Sequence, residues 1–161
     1  MHIIYPNFTQ QHFKTNNFHQ KNKMKILQAT TTEELLNCVE VMKELRPHHN
    51  SNSFLTAMEQ MKDEGYQLWY IEDNDKAVCV AGFRFTTTLY DGLIIDFDDF
   101  VTLAAARNKG YAGFLFDHLE AMAKAKNIKT IHLNSNHQRF DEHRFYLKKK
   151  RNIVAPHFRT E

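Results

Sequence analysis

Cysteine is scarce in this chain. Cys38 and Cys79 are the whole complement in 161 residues. One falls in an expected helix and the other in an expected strand, without the short spacings that build a zinc site. Two lone thiols in apolar contexts read as small core residues, and a reducing, cytoplasmic setting is expected. Long apolar runs are also missing. None approaches the length of about 20 residues that a membrane-crossing helix needs, and the first residues lack the apolar stretch of a signal peptide. Charge of one sign is lacking too, with 21 Lys and Arg against 19 Asp and Glu and a net charge of +2. Phosphate neutralisation takes a concentrated basic face, so nucleic acid is not expected as the main partner. The run Lys148 to Arg151 reads as a solvated helix end. Ten histidines occur, but no pair has persuasive ligand geometry, and no metal is expected.

What is present fits one folded domain. Hydrophobic residues make up 42% and charged residues 25%, an ordinary globular balance. The length suffices for a single core. Residues 1–23 differ from the rest: rich in Asn, Gln, His and Phe, free of Gly, Leu and Val, and without periodicity. They are expected to be an N-terminal extension, either flexible or preceding a functional start at Met24. Residues 24–161 are expected to form the domain.

The remaining chain reads as alternating elements. Met24 to Gln28 is β-like. Thr31-Thr32-Glu33-Glu34 opens a helix by capping and early carboxylates, and Leu35, Cys38, Val39, Met42 and Leu45 continue it until Pro47. A second helix opens at Ser51 or Ser53 and ends at Gly65. Tyr66 to Ile71, Lys76 to Thr88 and Leu93 to Thr102 read as an antiparallel meander, with turn chemistry at Asp73-Asn74-Asp75 and Tyr90-Asp91-Gly92. A helix over Gly110 to Lys126, a strand over Thr130 to Leu133, a helix over Arg139 to Lys150 and a strand over Asn152 to Phe158 complete the order β-α-α-β-β-β-α-β-α-β.

The informative stretch joins the third meander strand to the following helix: Phe100-Val101-Thr102-Leu103-Ala104-Ala105-Ala106-Arg107-Asn108-Lys109-Gly110-Tyr111-Ala112. A strand enters a short loop bearing Arg, Lys and Gly, and a helix starts at once. Amides at a helix start point at whatever sits there, and the dipole favours an anion. Gly110 lets backbone approach a ligand, Ala112 keeps the next turn small, and Arg107 and Lys109 add charge. The assembly reads as a diphosphate cradle, against the plainer alternative of a solvated loop. It is not a Walker loop, because Gly-Lys-Ser/Thr is absent.

Arg107-x-x-Gly110-x-Ala112 resembles the acyl-CoA pyrophosphate loop of the GNAT N-acetyltransferase superfamily, (Q/R)-x-x-G-x-(G/A), and sits in the same strand-loop-helix context. The resemblance covers about Lys25 to Phe158. It implies a mixed α/β fold: a twisted, mostly antiparallel sheet with helices on both faces and a V-shaped splay between the fourth and fifth strands. It implies acetyl-CoA as co-substrate, a primary amine as acceptor, and direct transfer in a ternary complex, with no metal. Arg107, Asn108, Lys109, Gly110, Tyr111 and Ala112 would then hold the diphosphate. The backbone of Phe100, Val101 and Thr102 would pair with the pantetheine arm, as an added strand does, and place an amide at the thioester oxygen.

Within the resemblance, Asp98 is expected as general base and Asp99 as a positioning or substrate-binding residue, because neighbouring strand residues face opposite ways. Asp98 would share a face with Asp96, opposite Ile95, Phe97 and Val101. The alternative is a pair of exposed strand carboxylates. Tyr146 is expected as the general acid for the departing thiolate, with a core aromatic as the alternative. The family often writes Asn-x-x-Ala-x-x-(hydrophobic)-Tyr here; this chain has Arg139, Glu142, Phe145 and Tyr146. Arg139 would reach a phosphate. Lys150-Arg151 replaces a usual Gly. His48, between the first two helices, would contact the acceptor, with a plain polar loop as the alternative. A GNAT-fold acyl-CoA-binding sensor without turnover is the alternative function, and a homodimer is compatible with the sequence.

Overall fold

The computed structural model describes residues 24–136 and 138–153. Thr31 caps the first helix α1 (Thr32–Lys43) as its residue type predicts. Its hydroxyl accepts from the Glu34 amide at 3.3 Å, and the Glu34 carboxylate accepts from the Thr31 amide at 2.9 Å. This reciprocal box satisfies two amides that a helix start leaves unpaired. The second helix α2 (Ser51–Asp63) is capped by Asn50, not by either of the expected serines. Its side chain accepts from the Ser53 amide at 2.9 Å, while Ser53 Oγ accepts from the Asn50 amide at 2.9 Å. Gly65, at φ +81°, closes α2 in the left-handed region.

Five strands form one sheet: β1 (Lys25–Gln28), β2 (Gln67–Asp73), β3 (Lys76–Thr88), β4 (Gly92–Thr102) and β5 (Thr130–Leu133), in that spatial order. The first four pair antiparallel, and β5 runs parallel to β4. Asn74 and Asp75, both at positive φ, make the tight β2–β3 turn. A 3₁₀ turn (Ala104–Ala106) leads from β4 towards helix α3 (Tyr111–Ala125), and α4 (Phe140–Lys148) follows β5. The fold class, and the element order as far as α4, agree with the sequence reading. The expected last strand is not seen over Asn152 and Ile153, and its remainder, Val154 to Phe158, lies outside the described residues, as does the extension 1–23.

Two cores cover the two faces of the sheet. On one face α1 and α2 bring Cys38, Val41, Met42, Phe54 and Met58 against Leu68, Tyr70 and Val80. On the other, α3 and α4 bring Leu115, Phe116, Leu119 and Tyr146 against Ile71, Phe83, Ile95 and Phe97. Both cysteines are buried and unbridged, as expected of core thiols. The phenylalanine abundance is spent on the second face. Phe116 stacks on Phe97 at 6.1 Å and meets Phe100, Phe145 and Tyr146 edge-on or tilted, at 5.9 to 6.1 Å. Such pairs add to the gain from area burial alone. Phe116→Ala is expected to cost about 3–5 kcal/mol of unfolding free energy, read by urea denaturation. A loss under about 1 kcal/mol would contradict the packing described.

Candidate active site

The site is set by a register shift in β4. Asp99 pairs with Gly82 and Phe97 with Phe83, so Asp98 is an extra residue in a β-bulge. The bulge changes the side-chain phase. Ile95, Phe97 and Phe100 pack on the α3 face, whereas Val101 packs on the α1–α2 face. The expected grouping of Ile95 and Phe97 with Val101 is therefore corrected: strict alternation holds only for a regular strand. Asp98 and Asp99 do not point to opposite sides either. Both are held by groups linked across the α1–α2 side. Arg84 pairs with Asp98 and with Glu64 of the α2 end, and its guanidinium lies 5.2 Å from the Tyr66 ring centre. The Tyr66 hydroxyl donates to Asp99 Oδ2 at 2.8 Å, and Arg46 Nε donates to Asp99 Oδ1 at 2.9 Å. Asp99 is 7% exposed, so its charge is tolerated only because it is paired. Burial, then the neighbouring Asp99 charge, holds the Tyr66 phenol well above its ordinary range, and it remains a donor.

Gly82 makes this arrangement possible. A Cβ there would lie 1.7 Å from Tyr66 Oη and 2.4 Å from its Cζ. The missing side chain is the space through which the tyrosine reaches the carboxylate.

The other edge of β4 is left unpaired to β5 beyond Phe97. Pairing with β5 ends at Phe97 and Leu133, and β4 continues to Thr102. The Leu103 amide donates to the Val78 carbonyl at 2.9 Å. In an antiparallel ladder successive residues alternate towards and away from the partner strand. By that count Thr102 and Phe100 turn their backbone groups away from β3, towards the splayed edge. Arg107 Nε donates to the Thr102 carbonyl at 3.3 Å, which agrees.

The loop after β4 is held by α1. Glu44 accepts from the Ala104 amide at 3.0 Å and from Arg107 Nη2 at 3.0 Å. Asn108 at φ +61° and Gly110 at φ +88° turn the chain into α3. Gly110 is the N-cap and no side chain caps this helix; its first internal bond runs from the Phe114 amide to the Gly110 carbonyl at 3.0 Å. The amides of Tyr111, Ala112 and Gly113 thus precede the helical ladder, the arrangement that receives anions at helix starts. Lys109 is exposed beside them. The Tyr111 side chain turns to Asp73, whose carboxylate accepts from its hydroxyl at 2.5 Å, so that residue offers its amide to the loop.

A cleft of about 170 Å³ lies where β4 and β5 part. Its walls include Asp98, Asp99 and Phe100 of β4, Tyr146 and Glu142 of α4, and Arg46. Arg139 lines it as well, donating to Glu142 Oε1 at 2.7 Å, and Glu142 also accepts from Ser135 at 2.8 Å. Burial first, then the adjacent Asp99 and Asp96 charges, raise the Asp98 carboxyl above its ordinary value, with Arg84 opposing. Burial, reinforced by Glu142 and Cys79, pushes the Tyr146 phenol upward, so it keeps its proton at neutral pH. The cleft therefore brings Asp98, Asp99, Phe100, Arg139 and Tyr146 together, and leaves His48 outside its walls. His48 sits in the α1–α2 loop with its ring 4.4 Å from that of His49; Leu45 and Arg46 represent that region in the cleft. Sequence reasoning missed Arg46, Tyr66, Gly82 and Arg84. The one available signal was Arg46 beside the Pro47-His48-His49 segment.

The profile of the Acetyltransferase (GNAT) family matches residues 30–150. The chain belongs to the GNAT acetyltransferase family. A Bacillus subtilis (strain 168) relative, the uncharacterized N-acetyltransferase YhdJ, is 30% identical over 123 residues, 76% of this chain and 87% of the relative. Among solved structures, a transcriptional regulator from Bacillus halodurans C-125 superposes with a TM-score of 0.75 at 22% identity, covering 86% of this chain and 99% of that one. The aminoglycoside N-acetyltransferase AAC(6')-Iy, solved with CoA, gives 0.76 at 13% identity over 90% of this chain and 98% of that one. These likenesses establish the fold. No described helix is long and apolar enough to cross a membrane, and no cluster of three metal-ligating side chains occurs among the described residues. Beyond Phe97 the β4 edge is unpaired to β5, and the α3 start has no side-chain cap, with Gly110 as its N-cap.

Gly82→Ala is expected to displace Tyr66 from Asp99 and to cost about 1–3 kcal/mol, as overpacking does. Urea denaturation reads the loss. Unchanged stability would contradict the close approach of Tyr66 to the strand.

Proposed function

We propose that this GNAT protein is an acetyl-CoA-dependent N-acetyltransferase that moves the acetyl group directly to a primary amine in a ternary complex. The observation that carries the reading is the convergence of a raised carboxyl (Asp98), a protonated phenol (Tyr146) and the start of the unpaired strand edge (Phe100) on one cleft. Acetyl-CoA supplies the activated acyl group. The amides of Asn108 to Ala112, with Lys109 and Arg107, hold its diphosphate. The free edge of β4 takes the pantetheine arm, and the Phe100 or Thr102 amide faces the thioester oxygen, where negative charge develops on attack.

Only a neutral amine is nucleophilic, so one proton must leave the ammonium first. Asp98 accepts it, directly or through water. A carboxyl raised by burial is a stronger base than an ordinary aspartate. Tyr146 then donates its proton to the departing sulfur, and the new amide releases the second nitrogen proton to solvent. Asp99 and Arg46 fix the bulge that presents Asp98. Much of the rate comes from holding amine and thioester together.

Tyr146→Phe removes only the hydroxyl. Turnover is expected to fall by roughly 10²-fold, with melting temperature and acetyl-CoA affinity little changed. A core tyrosine would give the reverse: lower stability with normal turnover per folded molecule. Asp98→Asn is expected to abolish the limb of kcat/KM that rises with pH as this carboxyl ionises, a limb lying above the ordinary aspartate range. An unchanged profile in Asp98→Asn would remove it as base.

A further inference from the structure

Every carboxylate lining the cleft already faces an arginine. Asp98 is paired with Arg84, Asp99 with Arg46 at 2.9 Å, and Glu142 with Arg139 at 2.7 Å. Hydroxyls take further oxygens: Tyr66 donates to Asp99 and Ser135 to Glu142, each at 2.8 Å. A polycationic acceptor is drawn by carboxylates left over after such pairing, because uncompensated charge sets the local potential. In the described cleft only Asp98 is under-compensated, because its partner Arg84 also serves Glu64, and that leaves room for one cation and not several.

Its arginines have donors to spare. A guanidinium carries five N–H groups in a rigid fork. Arg46 directs Nε to Asp99 and Nη2 to the Asp98 carbonyl at 3.3 Å. Arg139 directs Nη1 to Glu142. Their side chains remain 44% and 39% exposed while lining the same cleft. One edge of each fork is anchored by a carboxylate, which fixes its position, and the other N–H groups remain for a planar anion. Arg139 replaces the usual Asn at its position in the resembled motif, and Glu142 the usual Ala. The two departures are one ion pair lining the cleft.

Building on the acetyltransferase reading, we propose that the acceptor is a small monoamine that also carries a carboxylate, its amine meeting Asp98 and its carboxylate meeting Arg46 and Arg139. One added cation and one added anion leave the charge balance of the cleft unchanged. A second ammonium would have no carboxylate to meet, and this selects against polyamines and aminoglycosides.

The test is acetyl-CoA consumption by the purified full chain with a panel of amino acids, their carboxamides, spermidine and an aminoglycoside. The expected result is at least one amino acid with kcat/KM about tenfold or more above its own carboxamide and both polycations, the usual worth of a charge-assisted hydrogen bond. Arg139→Gln and Arg46→Gln should each draw the acid-to-carboxamide ratio towards one. A purely structural defect lowers both substrates together and leaves the ratio unchanged, so an unchanged ratio in both folded variants overturns the proposal. Carboxamides or polycations used as well as the acids also overturn it, while leaving acetyl transfer standing. Turnover with no member, in a protein that binds acetyl-CoA, removes the acetyltransferase reading as well.

Discussion

One additional residue in β4 governs the geometry of the site. A regular strand would turn Asp98 and Asp99 to opposite faces. The bulge turns both to the α1–α2 side, which sets two carboxylates next to one another in a partly desolvated place. Like charges so close are unfavourable unless each is compensated. The protein supplies Arg84 to one, and Arg46 and Tyr66 to the other. That compensation draws in the α2 end through Glu64, the α1 end through Arg46 and β3 through Gly82, whose bare backbone admits the Tyr66 ring. The same displacement in β4 accompanies the loss of pairing to β5 beyond Phe97. A local kink thus accompanies both the proposed base, Asp98, and the open edge.

The opposite face of the sheet does different work. There Phe97, Phe100, Phe116, Phe145 and Tyr146 form a contiguous aromatic layer. Its rigidity fixes α4 against β4, and so fixes the distance from the Tyr146 hydroxyl to the strand edge. Phe100 belongs to both systems. Its ring packs in the layer while its backbone faces the splay. In the proposed role of this segment, Phe100 and Thr102 offer their backbone groups, so their side chains need not resemble any ligand-binding set. The loop before α3 follows the same logic, with Arg107 spent partly on Glu44 and the uncapped amides left for an anion.

Much of this was legible in the sequence, for identifiable reasons. Local signals announced the elements: Thr31 and Glu34 for α1, Gly65 for the end of α2, Asp73-Asn74-Asp75 for the β2–β3 turn. The Arg107-x-x-Gly110-x-Ala112 loop announced the family because backbone geometry restricts its residue types. The bulge was not legible. Nothing in Phe97-Asp98-Asp99-Phe100 states that one residue lacks a partner, since register belongs to the pair of strands and depends on Gly82 and Phe83 some 15 positions earlier. For the same reason Tyr66, Arg84 and Arg46 escaped notice: they reach the aspartates only after the sheet and α1 assemble. Asn50 was passed over for Ser51 or Ser53 because Asn and Ser both cap helices well.

The central claim is that the edge of β4 beyond Phe97 receives the pantetheine arm. Amide hydrogen exchange on the purified chain, with and without acetyl-CoA, tests it at single residues. The account predicts that exchange slows at Phe100 or Thr102 and at Tyr111 to Gly113 when acetyl-CoA binds, since these amides gain partners. Saturating acetyl-CoA that leaves all of them unchanged and protects amides elsewhere in the domain would contradict it.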